Sequence, residues 1–473
     1  MSIKIRKEHL EMLLLAAVVS AAVSTVFNWY SETAGRQVGS FEYVRKAENL
    51  IENGRLQDAI RYLEKAHSSS PENEVIAAQL ANTYSLYSDR LARSDKYETA
   101  IGSLKRACDV RPCSKTAQAL AIMYSKRAIS RARGDPAGTK ADLENARQAA
   151  SSSAIASRNL SVSLFNDAVA ESKAGKDGIA IVLLKESSLT YKDASFLELL
   201  GDIYYKNADF EKARFYFGRA LAMSSENAPL KRKFRKVVKE VSLAKTEESR
   251  DFAHFELRYD KDLAVDASSV KEILDRCYLD VGGDLKYFPD SKTVVFLYSP
   301  SDFRRIFALS PAARAFYDGS IRIPLSEKAL TGKQLTSHIY HEYTHAVVYA
   351  RTGSNCPVWL NEGIAVWEEH KKDPAISYIF ARLVDKDNIS LAFLHMPFDQ
   401  GDEKEVRARY LVAYSAVKYI IATSGLAGLN VILSRIKEGL HVINAIEDEF
   451  LISEKEFERR WKNYAVRTYL AGR

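Results

Sequence analysis

Hydrophobic positions follow three different patterns along the chain. Residues 12–27 form an uncharged apolar run, which predicts a membrane segment. From about residue 41, small and aromatic residues recur at fixed offsets, which predicts helices packed in tandem pairs. After residue 250 the apolar period shortens to two in HFELRY, TVVFLY and SIRIPL, which predicts strands. The patterns therefore predict a multi-domain chain with three regions: residues 1–30, 40–240 and 250–473.

The first region has the flanks of a membrane anchor. Lys4, Arg6 and Lys7 precede the apolar run, and Trp29 and Tyr30 close it. The run is shorter than the ~20 residues that cross a bilayer, so a cleaved signal peptide stays open beside an uncleaved transmembrane helix. In both cases the positive-inside rule predicts a cytoplasmic N-terminus and a non-cytoplasmic location for the rest of the chain.

The second region contains repeats, of which LELLGDIYYKNADFEKARFYFGRALAMS is the clearest. This segment resembles the tetratricopeptide pattern at six places: Leu197, Leu200-Gly201, Tyr204, Ala213, Phe217 and Ala220. We count four or five such units. One has about seven extra residues in its turn, and another is interrupted by the loop RARGDPAGTK. The resemblance implies an all-α solenoid with a concave groove, which serves either to dock a peptide or protein or as a spacer.

Composition narrows the classes of function. The 473 residues are 47% hydrophobic and 27% charged with a net charge of +7, which excludes wholesale disorder and a polytopic membrane protein. Because the charges are scattered, nucleic acid is not an expected partner. Four cysteines are too few for a disulfide scaffold. On the non-cytoplasmic side Cys108 and Cys113 could form a bridge, or they are two unrelated buried thiols.

The third region contains the motif that indicates chemistry, SHIYHEYTHAVVY. It lies in a helix expected to be firm from Gly332 to Thr352 with Gly353 as its cap. His341 and His345 are four residues apart on one face, so both imidazoles can bind one metal ion. A catalytic zinc ion needs three protein ligands. Glu362, in the following segment NEGIAVWEEH, supplies the third.

These motifs together resemble a known family. The H-E-x-x-H motif with a downstream N-E is similar to gluzincin zinc metallopeptidases. VWLNEGIAVWEE, with DGSIRIPL before it and YLVAYSAVKYI after it, resembles the bacterial peptidase-MA-like family, whose members often carry tetratricopeptide repeats. The resemblance implies an α+β zincin-like metallopeptidase domain after the repeats. It also implies Zn²⁺ as the cofactor and a bacterial inner membrane location, with the bulk of the chain periplasmic.

Each candidate residue then has an expected role. With zinc on the three ligands, Glu342 is expected to act as general base and to pass the proton to the leaving amine. A second donor beside the zinc should stabilise the oxyanion. Tyr410 aligns best with the family's tyrosine, and Tyr414, one helical turn away, is its alternative.

Other polar residues near the motif have simpler interpretations. His338 is expected on the helix surface. Glu368 and Glu369 are assigned to the solvent side of their helix, with the alternative that they orient a ligand histidine. Asn361 is a candidate cap for that helix.

The segment SIRIPL is expected to be an edge strand because it contains a proline. It is either a template on which the substrate backbone adds as a further strand, or a plain edge protected by Arg322 and Pro324.

The sequence therefore predicts a membrane-anchored zinc metallopeptidase that cleaves internal peptide bonds of protein substrates, with the repeats docking a substrate or partner. The alternative is a non-catalytic tetratricopeptide adaptor in an envelope complex, in which the zincin domain is structural. An aminopeptidase would share the same core, but no G-x-M-E-N-like segment for a free amine is present.

Overall fold

The computed structural model describes residues 40–307, 315–325, 332–371, 375–398 and 400–470. The predicted membrane segment, residues 1–30, lies outside them. The chain divides into two compact units. The first comprises the residues up to Asp167 together with Lys185–Lys192, and the second comprises Ala168–Leu184 and Asp193–Arg473.

The first unit is built from helices that succeed one another with short turns. Alanines that are fully buried, such as Ala59 and Ala107, let neighbouring helices approach closely. Leu63, Leu80 and Tyr84 fill the remaining space in the same core. The helices are α1 (residues 40–52), α2 (Leu56–Ser69), α3 (Glu74–Ala92), α4 (Tyr97–Val110), α5 (Ser114–Arg131) and α6 (Pro136–Ala150). Helices α7 (Ala154–Lys173) and α8 (Asp177–Thr190) contribute to both units.

Two expectations about the repeats are wrong. The extra residues of one unit do not lengthen its turn, which is only Arg93–Lys96, because they extend α3 to 19 residues. The segment RARGDPAGTK is not a long loop either. Asp135 accepts a hydrogen bond from the Gly138 N–H, and Pro136 occupies the first turn of α6, so the Asp-Pro pair begins a helix.

Cys108 and Cys113 are free thiols in the structure, so the bridge that the sequence left open is not formed. The Cys113 thiol instead lies 3.4 Å from the hydroxyl of Thr116 at the start of α5.

The second unit begins with a helix pair and a single helix. Helices α9 (Ala194–Lys206) and α10 (Phe210–Met223) pack closely because Gly201 faces Phe217, where a Cβ would lie 2.4 Å from the ring. Helix α11 (Ala228–Leu243) follows.

A five-stranded sheet comes next, with the order β1-β2-β3-β5-β4. β1 is antiparallel to β2, β2 and β3 are parallel, β3 and β5 are parallel, and β4 is antiparallel to β5. The buried positions of β2 alternate as the sequence predicted: Phe255, Leu257 and Tyr259. The strands are β1 (Glu247–Asp251), β2 (Phe255–Asp260), β3 (Thr293–Tyr298), β4 (Phe316–Tyr317) and β5 (Ile321–Pro324).

The predicted edge strand SIRIPL is not at the edge. β4 pairs with the first half of this strand: Phe316 lies opposite Arg322, and Tyr317 lies opposite Ile321. Arg322 does not protect an edge from solvent, since its side chain is fully buried. The interpretation of the strand as a substrate template stays a prediction for the half that β4 leaves unpaired, which begins at Ile323.

Arg322 lies in a buried charged cluster. Its Nη1 donates to Glu240 Oε1 at 2.7 Å, and its Nε donates to Asp318 Oδ1 at 2.8 Å. The hydroxyls of Tyr205 and Tyr298 also donate to Glu240, at 2.9 and 3.2 Å. The Arg322 Nη2 has no hydrogen-bond acceptor, but the guanidinium is surrounded by aromatic rings with centroids 4.8–5.5 Å away: Tyr205, Phe210, Phe296 and Phe307. This cluster fixes α11 to β5.

Most of the remaining helices contribute to the main core of the second unit, whereas α13 packs through Phe303 and Phe307 against Tyr298 of β3. Helix α14, which carries the H-E-x-x-H motif, contacts α12, α15, α18 and β5. It ends at Thr352, and Gly353 follows with a positive φ of +65°, as predicted for its cap. The helices are α12 (Ala267–Asp284), α13 (Pro300–Phe307), α14 (Gly332–Thr352), α15 (Val358–His370), α16 (Ala375–Leu383), α17 (Leu391–Leu394), α18 (Glu403–Lys437), α19 (Val442–Phe450) and α20 (Glu454–Ala465).

Among the described residues, α18 is the one helix long and apolar enough to cross a membrane. It is a core helix, because it packs on α14, α15, α19 and α20 and many of its side chains are buried. Gly425 interrupts it with φ +68° and ψ −179°, so α18 consists of two helical segments.

Candidate metal centre

Helix α14 presents its two motif histidines together. His341 and His345 are one turn apart, and their ring centroids are 4.9 Å apart with the planes nearly perpendicular. The surrounding positions of α14 are apolar and buried, including Ile339, Val347 and Val348, so the helix is held firmly against the core. The two imidazoles therefore occupy fixed positions on one face.

Helix α15 supplies the third side chain. Glu362 Oε2 lies 3.5 Å from His341 Nε2 and 3.4 Å from His345 Nε2. The next residue, Gly363, packs against α18, where a Cβ would lie 2.6 Å from the carbonyl oxygen of Ala413. Only glycine allows this close approach, so the contact between α15 and α18 fixes the position of Glu362 relative to the histidines of α14.

The three donor atoms lie close enough together to hold a metal ion such as zinc. One ligand atom from each of these side chains lies within 4.8 Å of the others, the arrangement needed to hold a metal. Ligands 2.0–2.1 Å from a tetrahedral zinc are about 3.3–3.4 Å apart, close to the two distances from Glu362. Glu362 Oε2, the oxygen that faces both histidine Nε2 atoms, is buried and has no hydrogen-bond partner in the structure. Two imidazoles and one carboxylate also form a donor set that zinc commonly uses.

Glu369 has the role that the sequence analysis gave only as the alternative, that of orienting a ligand histidine. Its Oε2 lies 3.0 Å from His341 Nδ1, and its Oε1 accepts a hydrogen bond from Ser337. Assignment of this side chain to the solvent side of α15 is therefore wrong. Glu362 and Glu369 are seven residues apart, nearly two helical turns, so they project from the same face of α15 toward α14.

Glu368 is not on a solvent face either, since it is 2% exposed. Its Oε2 accepts a hydrogen bond from Lys371 Nζ at 2.7 Å, and Lys371 also donates to Asp284 at 2.8 Å. Burial raises the pKa of Glu368 to about 7, against the opposing charge of Lys371. Glu368 therefore links α15 to α12 and does not contact the ligand histidines.

Carboxylates dominate the electrostatics of the donor cluster. Burial disfavours the charged form of His341, but the nearby carboxylates of Glu362 and Glu369 outweigh it and raise its pKa well above the usual value. The pKa of His345 is raised in the same way, mainly by Glu362. Burial also opposes ionisation of Glu369, yet His341 brings its pKa down to about 2. The cluster thus favours a positive charge between its members, which a metal cation supplies.

Glu342 lies beside the cluster and is 4% exposed. Burial raises the pKa of its carboxyl, while the neighbouring His341 and His345 lower it in part. A carboxyl with a raised pKa, next to a metal-type donor set, has the properties of a general base.

The two candidate tyrosines differ in their surroundings. Tyr414 is buried, and its hydroxyl shares a hydrogen bond with Tyr469. Tyr410 is half-buried and its ring packs edge-on against Phe398 at 5.2 Å. Tyr410 is also one turn before Ala413, the residue that meets Gly363 on α15. The role of Tyr410, with Tyr414 as its alternative, stays a prediction.

Two further expectations can be compared with the structure. Among the described residues, the donor group that can hold a metal comprises His341, His345 and Glu362 and does not include His338. Asn361 does not cap α15, because the helix begins at Val358 and Asn361 lies inside it.

Comparison with known families agrees with this geometry. Residues 321–467 match the model of the Peptidase MA superfamily. The chain carries a Peptidase MA superfamily domain. The matched part of this domain includes α14 and α15, which hold all three donor side chains. Residues 194–227 match a tetratricopeptide repeat, so repeats precede the Peptidase MA domain.

Solved structures similar to the chain include tetratricopeptide proteins. A thermophilic TPR protein of Thermus thermophilus has 16% identity and a TM-score of 0.18, and the match covers 42% of this chain and 98% of that one. The TPR domain of P58(IPK) has 12% identity and a TM-score of 0.19, with 80% and 98% covered. No curated protein matches the chain in sequence. The assignment of repeats therefore rests on the family match and the helix pairs.

Proposed function

We propose that the chain is a membrane-anchored, zinc-dependent metallopeptidase that hydrolyses peptide bonds of protein substrates. One observation carries the proposal: Glu362 Oε2 lies 3.4–3.5 Å from both histidine Nε2 atoms, beside the buried Glu342. The tetratricopeptide repeats are proposed to dock a substrate or partner. The anchor and the periplasmic location are proposed from the charges and apolar run of residues 1–30.

The residues of the site would divide the work as follows. His341, His345 and Glu362 would hold the zinc, and Glu369 would keep His341 in the orientation and tautomer that binds it. When bound, zinc polarises the substrate carbonyl and makes a water molecule acidic enough to attack near neutral pH. Glu342 would accept the proton of that water at a carboxylate oxygen and deliver it to the leaving amine. Tyr410 would donate a hydrogen bond to the oxyanion.

The test begins with zinc content of the purified full chain and of two variants. We expect about one zinc per chain, retained in the control His395→Ala, which changes an exposed histidine outside the site, and lost in His345→Ala. Cleavage of a labelled protein substrate should stop with a chelator and return with zinc. Zinc binding without any cleavage would support the non-catalytic adaptor, and no zinc after reconstitution would overturn the metal centre itself.

A further inference from the structure

A cleft lies between the first two helices of the repeat region. Its volume is about 730 Å³, within the range of pockets that hold small ligands or a few residues of a peptide. All of its lining residues come from positions 45–65, so α1, α2 and their turn build it without α3. The lining comprises Arg45, Lys46, Asn49, Leu50, Arg55, Asp58, Arg61, Tyr62 and Lys65.

The lining is strongly basic. Five of the nine side chains are cations and one, Asp58, is an anion, which gives a net charge of +4. Concave surfaces lined by one sign of charge concentrate the electrostatic potential and attract ligands of the opposite sign. The scattered charge of the whole chain does not predict this local excess.

Only part of this positive charge is neutralised within the protein. Asp58 pairs with Arg55 at 2.7 Å and Arg61 at 3.4 Å, and Lys46 pairs with a neighbour on its own helix, Glu42, at 2.6 Å. Two further cations line the cleft, Arg45 and Lys65. Within the described ranges neither forms an ion pair, and the Lys65 ammonium lies 5.7 and 6.0 Å from the centroids of the two tyrosine rings nearby.

A different repeat shows what a structural arrangement of cations looks like. In α5 and α6, Arg127 and Arg131 both pair with Asp142, which is almost fully buried. Glu98 on α4 also contacts these arginines. There, two cations meet two carboxylates and join three helices. In the part of the chain that the structure describes, the ion pairs of the cleft cations stay within α1, α2 and their turn and bind no third helix.

The chemistry of the lining favours a peptide with several carboxylates. Arginine forks bind carboxylates with two parallel hydrogen bonds, and lysines add point charge. Asn49 offers an amide that can donate to and accept from a peptide backbone, and Tyr62 offers a ring and a hydroxyl. A cleft of this volume accommodates a short chain segment, whereas proteins bind a lipid surface through an amphipathic helix or a polybasic segment that lies along the headgroups.

We propose that this α1–α2 cleft binds an acidic peptide segment of a protein partner. The proposal rests on the docking function proposed for the repeats and gives that function a location and a chemistry. It does not depend on the metal centre, which lies in the other compact unit.

The experiment measures binding of a fluorescein-labelled peptide with four Asp and Glu residues to the full chain in detergent. The chain carries Glu342→Gln so that the peptide is not cleaved. Against this background we expect Arg45→Glu with Lys65→Glu to weaken binding about ten-fold or more, because attraction becomes repulsion at two contacts. The matched control is Lys126→Glu with Lys140→Glu, which changes the same charge at exposed positions of α5 and α6 and should change affinity less than two-fold.

Two further measurements test whether the cleft binds the peptide through its carboxylates. The same peptide with Asn and Gln in place of its Asp and Glu residues should bind at least ten-fold more weakly. Salt at about 0.5 M should weaken the binding of the acidic peptide. The proposal is overturned if the full chain does not bind the acidic peptide. That result is expected if residues 1–39 of the chain occupy the cleft. The proposal is also overturned if the cleft variant and the control bind equally, or if the cleft variant loses only binding to phosphatidylglycerol vesicles. None of these outcomes bears on zinc content or cleavage.

Discussion

The Arg322 cluster and the metal-donor cluster are both buried, charged and part of the same compact unit, yet they are satisfied differently. Arg322 has carboxylates at 2.7 and 2.8 Å, and the carboxylate of Glu240 accepts from three donors. In the donor cluster, Glu362 Oε2 is buried between the two histidines without a hydrogen-bond partner, whereas the one Arg322 nitrogen without an acceptor, Nη2, belongs to a guanidinium surrounded by aromatic rings. Leaving a buried polar atom unpaired costs about 1–3 kcal/mol, so such atoms persist where a ligand completes them. The comparison separates a cluster that stabilises the fold from one prepared for a metal.

The largest expected effect concerns activity. Glu342→Gln keeps the size of the side chain but cannot accept a proton, so cleavage should fall by about 10²–10⁴-fold. The zinc content should not change, because the three ligands remain. The measurement is the cleavage rate and zinc content of the same sample.

Glu272→Gln is the matched control, since Glu272 is exposed on α12. Hydrolysis at the normal rate in Glu342→Gln would contradict the role of general base.

The next effect concerns stability and the Arg322 cluster. Glu240→Ala leaves the buried guanidinium without its main partner, which should lower the free energy of unfolding by about 3–5 kcal/mol. Urea unfolding followed by tryptophan fluorescence reports on this unit, because Trp359, Trp367 and Trp461 all lie in it.

Glu226→Ala controls for the loss of an exposed carboxylate, since Glu226 is 95% exposed in a weak ion pair. The double variant Glu240→Leu with Arg322→Met removes both charges and should recover much of the loss. A double variant as unstable as Glu240→Ala would show that the unpaired charge is not the cause.

A smaller effect is expected at the carboxylate that orients His341. Glu369→Gln should weaken zinc affinity about 10–100-fold, because it weakens the hydrogen bond that positions the ring. Competition with a chelator measures this affinity.

The neighbouring Glu368→Gln is the control, because Glu368 bonds to Lys371 and not to a ligand histidine. Equal losses of zinc affinity in both variants would mean that the effect comes from α15 as a whole and not from the bond to His341.

The smallest effect is a pH dependence near the Arg322 cluster. Burial and the charge of Glu240 raise the pKa of Glu247 to about 7. The folded state therefore keeps this proton to higher pH than the unfolded state, whose pKa is 4.5. Between about pH 4.5 and 7 the contribution of Glu247 to stability should fall as the pH rises, by an amount of order 1 kcal/mol.

Glu247→Gln should flatten this part of the curve relative to the unaltered chain, measured by urea unfolding at about pH 5 and pH 8. The same slope in both proteins would contradict the shifted pKa.

The sequence predicted what depends on short spacing. Residues four apart on a helix share a face, so the convergence of His341 and His345 follows from the motif. Strand β2 followed from its alternating apolar residues, and the end of α14 followed from Gly353. Strand β3 was also predicted as a strand, but its residues are buried at nearly every position and do not alternate. The family match agrees with the resemblance that these motifs carried.

The features that the sequence did not predict depend on partners far away along the chain, or on a residue spacing that the sequence analysis did not consider. Arg322 looked like a charge on an exposed edge, because its partner Glu240 is 82 residues away. Glu369 looked solvated, although its spacing of seven from Glu362 already placed both on one face of α15. The Asp-Pro pair at the start of α6 is typical of a helix N-terminus, but the nearby glycines led to the prediction of a loop.

Gly425 has a consequence for counting membrane crossings. If helices were counted as membrane crossings by apolar length alone, α18 would be added to the proposed N-terminal anchor, and the number of crossings would be even. The C-terminus would then lie on the same side of the membrane as the N-terminus. Gly425 divides α18 into a long and a short segment, and because both pack into the core, α18 is not counted as a crossing. If the proposed anchor is the one crossing, the number stays odd, and we propose that the donor cluster lies in the compartment opposite the N-terminus.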